Sequence, residues 1–240
     1  MKISEIQVDG YPELLHSDAT MNEAITDVFI RTCLHDRAYH RYCLDSINLY
    51  LTGYRKIVEV HGEHPQGYLR QQIDKLHADQ HTDADFILFT DSDTLFNQPV
   101  TPESFMRNGK PMWLYTPWNS EMLAHPGTRT WFDVMTEFFG VEPPAEFMRR
   151  MGFLIPREVL QGLRDFCVRK HGVTIDEYVM SKGRFSEFNV IGFYAWQYCP
   201  EKFSWINTDE EIPPSLTVQY WSHDDIRKNL AEIERILTPP

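Results

Sequence analysis

The apolar positions in the first half of the chain alternate between strand-like and helical spacing. Short β-branched and aromatic runs at 26–33 (TDVFIRTC), 55–60 (RKIVEV) and 85–90 (DFILFT) predict strands. Apolar residues recur at helical spacing over 37–51 and 67–78, which predicts a helix between each pair of strands. This βαβαβ order predicts an α/β fold, with a mostly parallel sheet flanked by helices.

The second half of the chain is richer in helical patterns. Periodicity predicts strands at 111–116, 152–155 and 216–221, and helices at 128–139, 157–170, 174–181, 186–198 and 226–237. The loosened alternation indicates an α-rich second half.

Composition and charge exclude several classes of protein. A chain of 240 residues is long enough to bury one substantial core. Its formal charge of −12 opposes nonspecific attraction to nucleic acid or anionic lipid. No apolar stretch approaches the ~18 to 20 residues of a membrane span, and the N-terminus lacks the apolar segment of a signal peptide. We therefore expect a soluble, cytoplasmic protein.

The cysteines and histidines show no metal-binding pattern. Cys33, Cys43, Cys167 and Cys199 lie far apart without a C-x-x-C pair, which predicts reduced, buried thiols. The spacing of His61 and His64 would suit zinc, but no cluster completes a tetrahedral set. We predict that these histidines are solvated loop residues.

The acidic triplet Asp91-Ser92-Asp93 comes directly after the third predicted strand. Open α/β folds place their ligands at this carboxyl end of the sheet. Two carboxylates at i and i+2 can converge on Mg²⁺ or Mn²⁺, which prefer oxygen ligands, and such a cation would bridge a diphosphate. A solvated turn that caps a helix is the alternative. The absence of a basic residue nearby in sequence favours a cation as the neutralising charge.

The stretch FILFTDSDTLFNQPVTPESF resembles the D-x-D region of GT-A nucleotide-sugar glycosyltransferases, particularly small bacterial and phage members. Further matching stretches are DVFIRTC, GYLRQQIDKLHAD, KPMWLYTPW, EFMRRMGFLIPREV, GRFSEFNVIGFYAW and VQYWSHDD. The resemblance covers most of the chain. It implies a Rossmann-like GT-A fold in one domain, 1–240, with a donor-binding half at about 24–116 and an acceptor-side half at about 117–240.

The resemblance also implies an activity and its site. A metal-dependent glycosyltransferase, with hexosyl transfer expected, would move a sugar from a nucleotide-diphosphate sugar, UDP-sugar favoured, to a hydroxyl acceptor. Mn²⁺ or Mg²⁺ would be held by Asp91, Asp93 and His223. The donor would be bound by Arg31, Thr32, Asp36, Gln72, Lys75 and Ser92.

On the acceptor side, the resemblance implies Glu187 as the general base, with Tyr115, Trp118 and Asn189 around the acceptor. Plainer roles stay open for many of these residues. Arg31 would be a strand-edge surface charge, Gln72 and Lys75 a solvated helix face, and Glu187 an acid at a helix N-terminus. The two aromatic rings would pack in the core.

The acceptor and the competing functions remain open at this stage. A glycan, a small molecule or a protein hydroxyl suits the acidic charge; a hydroxymethylated DNA base is possible, as in phage relatives, but is not favoured. One rival function is a phosphohydrolase of the haloacid dehalogenase type, because DSDTLF after an apolar strand superficially resembles its motif. Another is a noncatalytic nucleotide-sugar binding module, against which the orientation of Glu187 would discriminate.

Overall fold

The computed structural model describes residues 3–6, 24–62, 67–123, 129–149, 152–221 and 225–238. The strands are β1 (Ile3–Ile6), β2 (Thr26–Thr32), β3 (Ile57–His61), β4 (Phe86–Asp91), β5 (Thr94–Phe96), β6 (Met106–Arg107), β7 (Lys110–Pro117), β8 (Ala145–Glu146), β9 (Phe153–Pro156), β10 (Ser204–Asn207) and β11 (Thr217–Gln219). The α-helices are α1 (Arg37–Tyr50), α2 (Gly67–Leu76), α3 (Arg129–Phe139), α4 (Arg157–His171), α5 (Ile175–Lys182), α6 (Glu187–Tyr198) and α7 (Leu230–Leu237).

The largest sheet has the strand order β1-β3-β2-β4-β9. Strand β2 is parallel to both β3 and β4, whereas β1 and β9 are antiparallel to their neighbours. The predicted α/β fold with a mostly parallel sheet is therefore confirmed, and antiparallel strands form its two edges. The carboxyl ends of β2, β3 and β4 lie at the same end of the sheet, and ligands bind at this end in open α/β folds.

Both faces of the central strands are buried. Phe29 and Phe89 pack on the side that holds α2 and α6, and Val28 and Leu88 pack on the side that holds α1. Because successive side chains of a strand point to opposite faces, a strand that is buried on both faces needs a continuous apolar run. The runs VFI and FILF meet this requirement.

Strand β11, in the second half of the chain, pairs with the short strand that follows the acidic turn. Strand β5 begins directly after that turn and pairs antiparallel with β11, so that Thr94 lies opposite Gln219. The predicted strand at 216–221 thus forms, although it is shorter. The predicted helix at 226–237 divides into a 3₁₀ turn, Ile226–Lys228, and α7. None of the helices in these described ranges is long and apolar enough to cross a bilayer.

Helix α6 lies close to strand β7 and to the segment that follows β8. A Cβ atom added at Gly192 would lie 2.5 Å from Phe147 Cβ and 2.9 Å from a ring carbon of Trp113. Both aromatic side chains are almost fully buried. Gly192 therefore sets how closely α6, which begins at Glu187, approaches the sheet.

We expect Gly192→Ala to lower the free energy of unfolding by about 1–3 kcal/mol, because the added methyl group overpacks the core. Gly67→Ala is the matched control: an added Cβ there meets no atom of the described residues within 4 Å, so the change should be neutral or stabilising by up to about 1 kcal/mol. Urea unfolding measures both values. Equal stability of the two variants would contradict this account of the α6 packing.

Candidate active site

The acidic turn lies where the sequence predicts, at the carboxyl end of β4. Arg31 of β2 stands in register with Asp91 of β4, so the residues that follow β2 lie at the same end of the sheet as the acidic turn. Ser92 Oγ donates a hydrogen bond to Asp36 Oδ2 at 3.1 Å, and Cys33 Sγ lies 3.2 Å from the same oxygen. The loop after β2 and the acidic turn are thus joined directly through Asp36.

A buried lysine connects this turn to the second half of the protein. Lys75 of α2 is 4% exposed, and its Nζ lies 2.6 Å from Asp91 Oδ1 and 2.8 Å from Glu187 Oε1. Gln72, one turn earlier on α2, accepts a hydrogen bond from the Glu187 backbone N–H at 3.1 Å through Oε1. The structure therefore brings together Asp91, Lys75 and Glu187, and places Gln72 behind Glu187.

The contact corrects one premise of the sequence interpretation. The acidic turn does have a basic partner, Lys75, which sequence proximity did not reveal because it lies on a different element. Gln72 and Lys75 are buried, so the solvated helix face is wrong for both. Burial lowers the pKa of Lys75, but Asp91 and Glu187 raise it more, so its pKa lies above the usual lysine range. Lys75 is therefore a buried cation at neutral pH.

Asp93 lies on the other side of the turn and is also buried. Its backbone carbonyl accepts a hydrogen bond from Tyr220 N–H at 2.8 Å, which ties the turn to the residue after β11. Gln219 Nε2 donates to Asp91 Oδ2 at 3.3 Å. Burial, Asp93 and Asp91, in that order, raise the pKa of the Cys43 thiol, so both carboxylates act on the same point of α1.

The predicted metal ligands are described only in part. Asp91 and Asp93 lie at the same turn, whereas the third predicted ligand, His223, lies outside the described residues. Within the described ranges, no group of three or more His, Cys, Asp and Glu side chains is arranged to hold a metal ion. A cation at this turn would therefore need ligands beyond the two aspartates.

A cavity of about 210 Å³ opens beside this turn at the ends of β2 and β3. Its lining residues are Thr32, Cys33, Leu34, Arg37, His40, His61 and Gly62. Thr32 was predicted for the donor site, and the others were not. Arg37 and His40 could have been found from their position at the start of α1, directly after the loop that the family motif indicated.

Arg31 does not line this cavity. It is 5% exposed, its Nε lies 3.5 Å from Asp74 Oδ2, and an added Cβ at Gly62 would lie 2.3 Å from its Nη2. The strand-edge surface charge considered for Arg31 is therefore wrong. Arg31 supports the cavity wall from behind Gly62.

The predicted acceptor residues lie around α6 and β7. Tyr115 packs against Trp196, and Trp118 packs edge-on against Phe132. Both rings are partly exposed. The Trp118 indole Nε1 is buried and has no hydrogen-bond partner within the described ranges.

Asn189, in contrast, belongs to the protein interior. It is fully buried; Oδ1 accepts from Phe147 N–H at 2.7 Å, and Nδ2 donates to Glu146 Oε1 and Ser186 Oγ at 3.2 and 3.0 Å. Its amide holds α6 to the chain after β8. We therefore do not retain it as an acceptor-binding residue.

All four cysteines are free thiols, as the sequence predicts. Cys43, Cys167 and Cys199 are buried, whereas Cys33 is only half-buried because it lines the cavity.

We expect Lys75→Met to lower the free energy of unfolding by about 3–5 kcal/mol, because it leaves Asp91 and Glu187 without a counterion. A raised lysine pKa gives stability that is present across neutral pH and lost only as pH rises through the folded-state pKa. Lys182→Met is the matched control: its partner Glu137 is 57% exposed, so the change should cost less than about 1 kcal/mol. Urea unfolding at neutral pH measures both.

The double variant Lys75→Met/Glu187→Gln isolates the charge contribution. Removing the Glu187 charge should recover part of the loss, with a coupling energy of about 0.5–3 kcal/mol. Strict additivity of the two substitutions would contradict the proposed charge bridge.

Comparison with known proteins places the fold. No family model matches the chain, and no curated protein matches its sequence. The galactosyltransferase LgtC, solved in complex with donor and acceptor sugar analogs, is 12% identical, with 89% of this chain and 97% of that chain covered at a TM-score of 0.51.

Two further solved structures are also similar. Glycosyltransferase GlyE of Streptococcus pneumoniae TIGR4, in its apo form, is 12% identical over 89% of this chain, with a TM-score of 0.45. The match spans 62% of the length of GlyE. A glycosyltransferase involved in the glycosylation of the major capsid of PBCV-1 is 11% identical over 88% of this chain and 99% of its own, with a TM-score of 0.46.

At 12% identity the likeness to LgtC concerns the fold alone. The similarity covers 89% of this chain and 97% of LgtC. It agrees with the α/β fold predicted from the sequence, with parallel strands at the centre of the sheet and helices on both faces. The protein therefore has a GT-A-type α/β fold similar to that of LgtC.

Proposed function

We propose that the protein is a metal-dependent glycosyltransferase that moves a sugar, a hexose in our hypothesis, from a nucleotide-diphosphate sugar to a hydroxyl acceptor. The observation that carries this proposal is the Lys75 bridge. It holds Asp91, on the turn predicted to bind the donor, and Glu187, predicted to act on the acceptor, at 2.6 and 2.8 Å from one ammonium group. A transferase needs these two functions side by side, because donor and acceptor must react in one place.

The donor nucleoside would lie in the cavity at the ends of β2 and β3. Thr32 lines this cavity. Asp36, which lies between the lining residues Leu34 and Arg37, is hydrogen-bonded to Ser92 of the acidic turn. One ligand could therefore occupy both the cavity and the acidic turn. Its nucleoside and its diphosphate would then occupy two adjacent places, as a nucleotide sugar requires.

The residues at the turn suit a divalent cation. Asp91, Asp93 and Glu187 carry three negative charges and Lys75 one positive charge, so the sum is −3 + 1 = −2. Carboxylate oxygens are the donors that Mg²⁺ and Mn²⁺ prefer. Mn²⁺ or Mg²⁺ held by Asp91 and Asp93, with His223 as a proposed third ligand, would neutralise the departing diphosphate.

Glu187 would take the proton from the acceptor hydroxyl. Lys75 holds its Oε1, so we assign proton acceptance to Oε2. Lys75 fixes the carboxylate on one side, and Gln72 fixes the backbone of the same residue on the other. Such double support is what keeps a reacting group in position. Tyr115 and Trp118 remain proposed platforms for the acceptor.

A hydroxyl on a glycan or a small molecule is the acceptor that we favour over DNA. Several basic residues of the second half are paired within the described part of the chain. Arg164 is buried on Asp79, Arg149 pairs with Glu146, and Lys170 donates to a backbone carbonyl. These contacts reduce the positive charge that a phosphate backbone would meet, whereas Arg157 and Arg169 stay exposed.

Two observations disfavour the two alternative functions. In the phosphohydrolase family the acidic motif comes early in the chain, whereas here it follows two complete β/α units and the third parallel strand of the sheet. Glu187 points to the lysine that contacts Asp91, which favours a catalytic protein over a noncatalytic binding module. Assays for sugar transfer, donor hydrolysis and phosphatase activity on the same preparation would separate the three.

Removal of divalent cations should abolish both transfer and donor hydrolysis, because Lys75 is already paired with Asp91 and Glu187 and the turn would still repel a diphosphate. Asp93→Asn should do the same while the protein stays folded. Asp45→Asn, on the exposed face of α1, is the control and should keep full activity. Full turnover of a nucleotide-sugar panel in excess EDTA would refute the metal dependence.

Glu187→Gln should reduce transfer by about 10²- to 10⁴-fold, because the amide keeps the shape but cannot accept the proton. Donor affinity, measured by calorimetry, should persist. Glu158→Gln is the control, since Glu158 is exposed and pairs only with Lys202 at the surface in the described structure. Unchanged turnover in Glu187→Gln would remove this residue from the mechanism.

A further inference from the structure

Two histidines and a glutamate form a cluster at the cavity beside the acidic turn. His40 of α1 and His61 of β3 both line the cavity, and their rings lie 6.1 Å apart in an edge-on arrangement. Glu59, two residues before His61, lies behind them: its Oε2 is 3.2 Å from His40 Nε2 and 3.3 Å from His61 Nε2. His61 thus lies in β3 and contacts Glu59, so the predicted loop position is wrong, whereas its side chain is exposed to solvent as predicted.

Glu59 is an unusual residue to bury at this place. It is only 3% exposed, and its Oε1 has no hydrogen-bond partner within the described ranges. His40 Nε2 is within ion-pair distance of Oε2, but the geometry falls short of a hydrogen bond, so this contact is mainly electrostatic. A buried carboxylate costs free energy unless its surroundings compensate it. The cost indicates a functional reason for the cluster.

Oε2 of Glu59 lies on the Nε2 side of both histidine rings. A lone pair on Nε2 would face the lone pairs of Oε2, so the neutral ring is favoured with its hydrogen on Nε2. Nδ1 is then the acceptor of each ring. A ligand contacting these rings is best matched by an N–H donor, and the carboxylate behind them opposes an anionic group such as a phosphate.

The remaining lining residues suit a flat, partly apolar ligand. Leu34 is 67% exposed although it is a large apolar residue, and it borders the cavity. A single exposed apolar side chain is ordinary on a protein surface, but at a cavity it offers an apolar contact for a flat ring. Arg37 adds a positive charge to the lining, and the Asp36–Ser92 hydrogen bond leads from the cavity to the acidic turn.

We propose that His40 and His61, oriented by Glu59, recognise the hydrogen-bonding edge of the donor's nucleobase and select an oxo-base over an amino-base. Uracil and guanine carry a ring N–H on this edge, which matches the Nδ1 acceptor. Cytosine and adenine carry a ring acceptor in the same place, so they would have to shift along the cavity to offer Nδ1 the N–H of their exocyclic amino group. This inference rests on the proposed function and adds the residues that choose the donor.

Calorimetric titration with UDP, GDP, CDP and ADP in the presence of Mn²⁺ tests the proposal. We expect the wild-type protein to bind UDP or GDP about tenfold or more tightly than CDP and ADP, since a polar group that is buried without a partner weakens binding. The UDP and GDP titrations show which of the two oxo-bases the cavity takes.

Variants of the cluster then assign the selection to these residues. Gln offers both donors and an acceptor, so His40→Gln and His61→Gln should reduce the preference to less than about threefold. Glu59→Gln keeps the shape but removes the charge that fixes the ring tautomer, and should weaken the preference too. His77→Gln is the matched control: it pairs with Asp176 at 2.5 Å and does not line the cavity, so the preference should persist.

The outcomes separate this inference from the proposed function. Equal affinity of the wild-type protein for all four nucleotides, a preference for CDP or ADP, or an undiminished preference in both folded histidine variants would each overturn the inference while leaving sugar transfer intact. Failure of the wild-type protein to bind any of the nucleotides would overturn both. Thermal unfolding identifies variants that have lost their fold.

Discussion

The buried ammonium of Lys75 is the interaction on which the arrangement of the site depends. Without it, the carboxylates of Asp91 and Glu187 would approach one another in a nearly dry part of the protein, where like charges repel strongly. With it, a turn after the third parallel strand and the first residue of a distant helix are held around one point. Phe188, the residue after Glu187, also lies against this ammonium, with the Nζ atom 5.0 Å from the ring centre.

The rest of the fold supports this contact. Helix α2 carries Lys75 across one face of the sheet, and the apolar residues of that helix pack into the same core as those of α6. Gly192 lets α6 lie close enough to Trp113 and Phe147 for its first turn to reach Lys75. Strand β11 closes the other side, since it pairs with β5 and places Gln219 on Asp91. The packing of apolar side chains thus determines where the charged groups meet.

Local patterns predicted much of this architecture and part of the site. The strands β2, β3 and β4 and the helices from α1 to α6 follow from periodicity, because each has a strong apolar pattern over its whole length. Strands β1, β5 and β8 are too short to show one. The acidic turn was visible because position after a strand and chemistry coincide there.

The Lys75 bridge and the Glu59 cluster were not visible, because both depend on contacts between separate elements. Lys75 and Glu187 are 112 positions apart in sequence. Periodicity identifies the face of a helix, but it does not show which charged group that face will meet. Asn189 shows the converse: its place beside Glu187 on a helix start suggested a site residue, whereas its amide is used by Glu146, Ser186 and Phe147 inside the fold.

The distribution of the remaining charges gives the acidic turn its proposed need for a cation. Three arginines, two of them buried, are each paired with a buried aspartate: Arg31 with Asp74, Arg164 with Asp79, and the exposed Arg55 with Asp27. These ion pairs neutralise the three arginines, so their positive charges do not offset the negative charge of the acidic turn. A diphosphate brought to Asp91 and Asp93 meets like charge, so cation and donor should each raise the affinity for the other. This repulsion does not affect binding in the histidine cavity, because a nucleobase is neutral and can bind through shape and hydrogen bonds. On the proposed function, the fold thus separates the group that identifies the donor from the group that carries its charge.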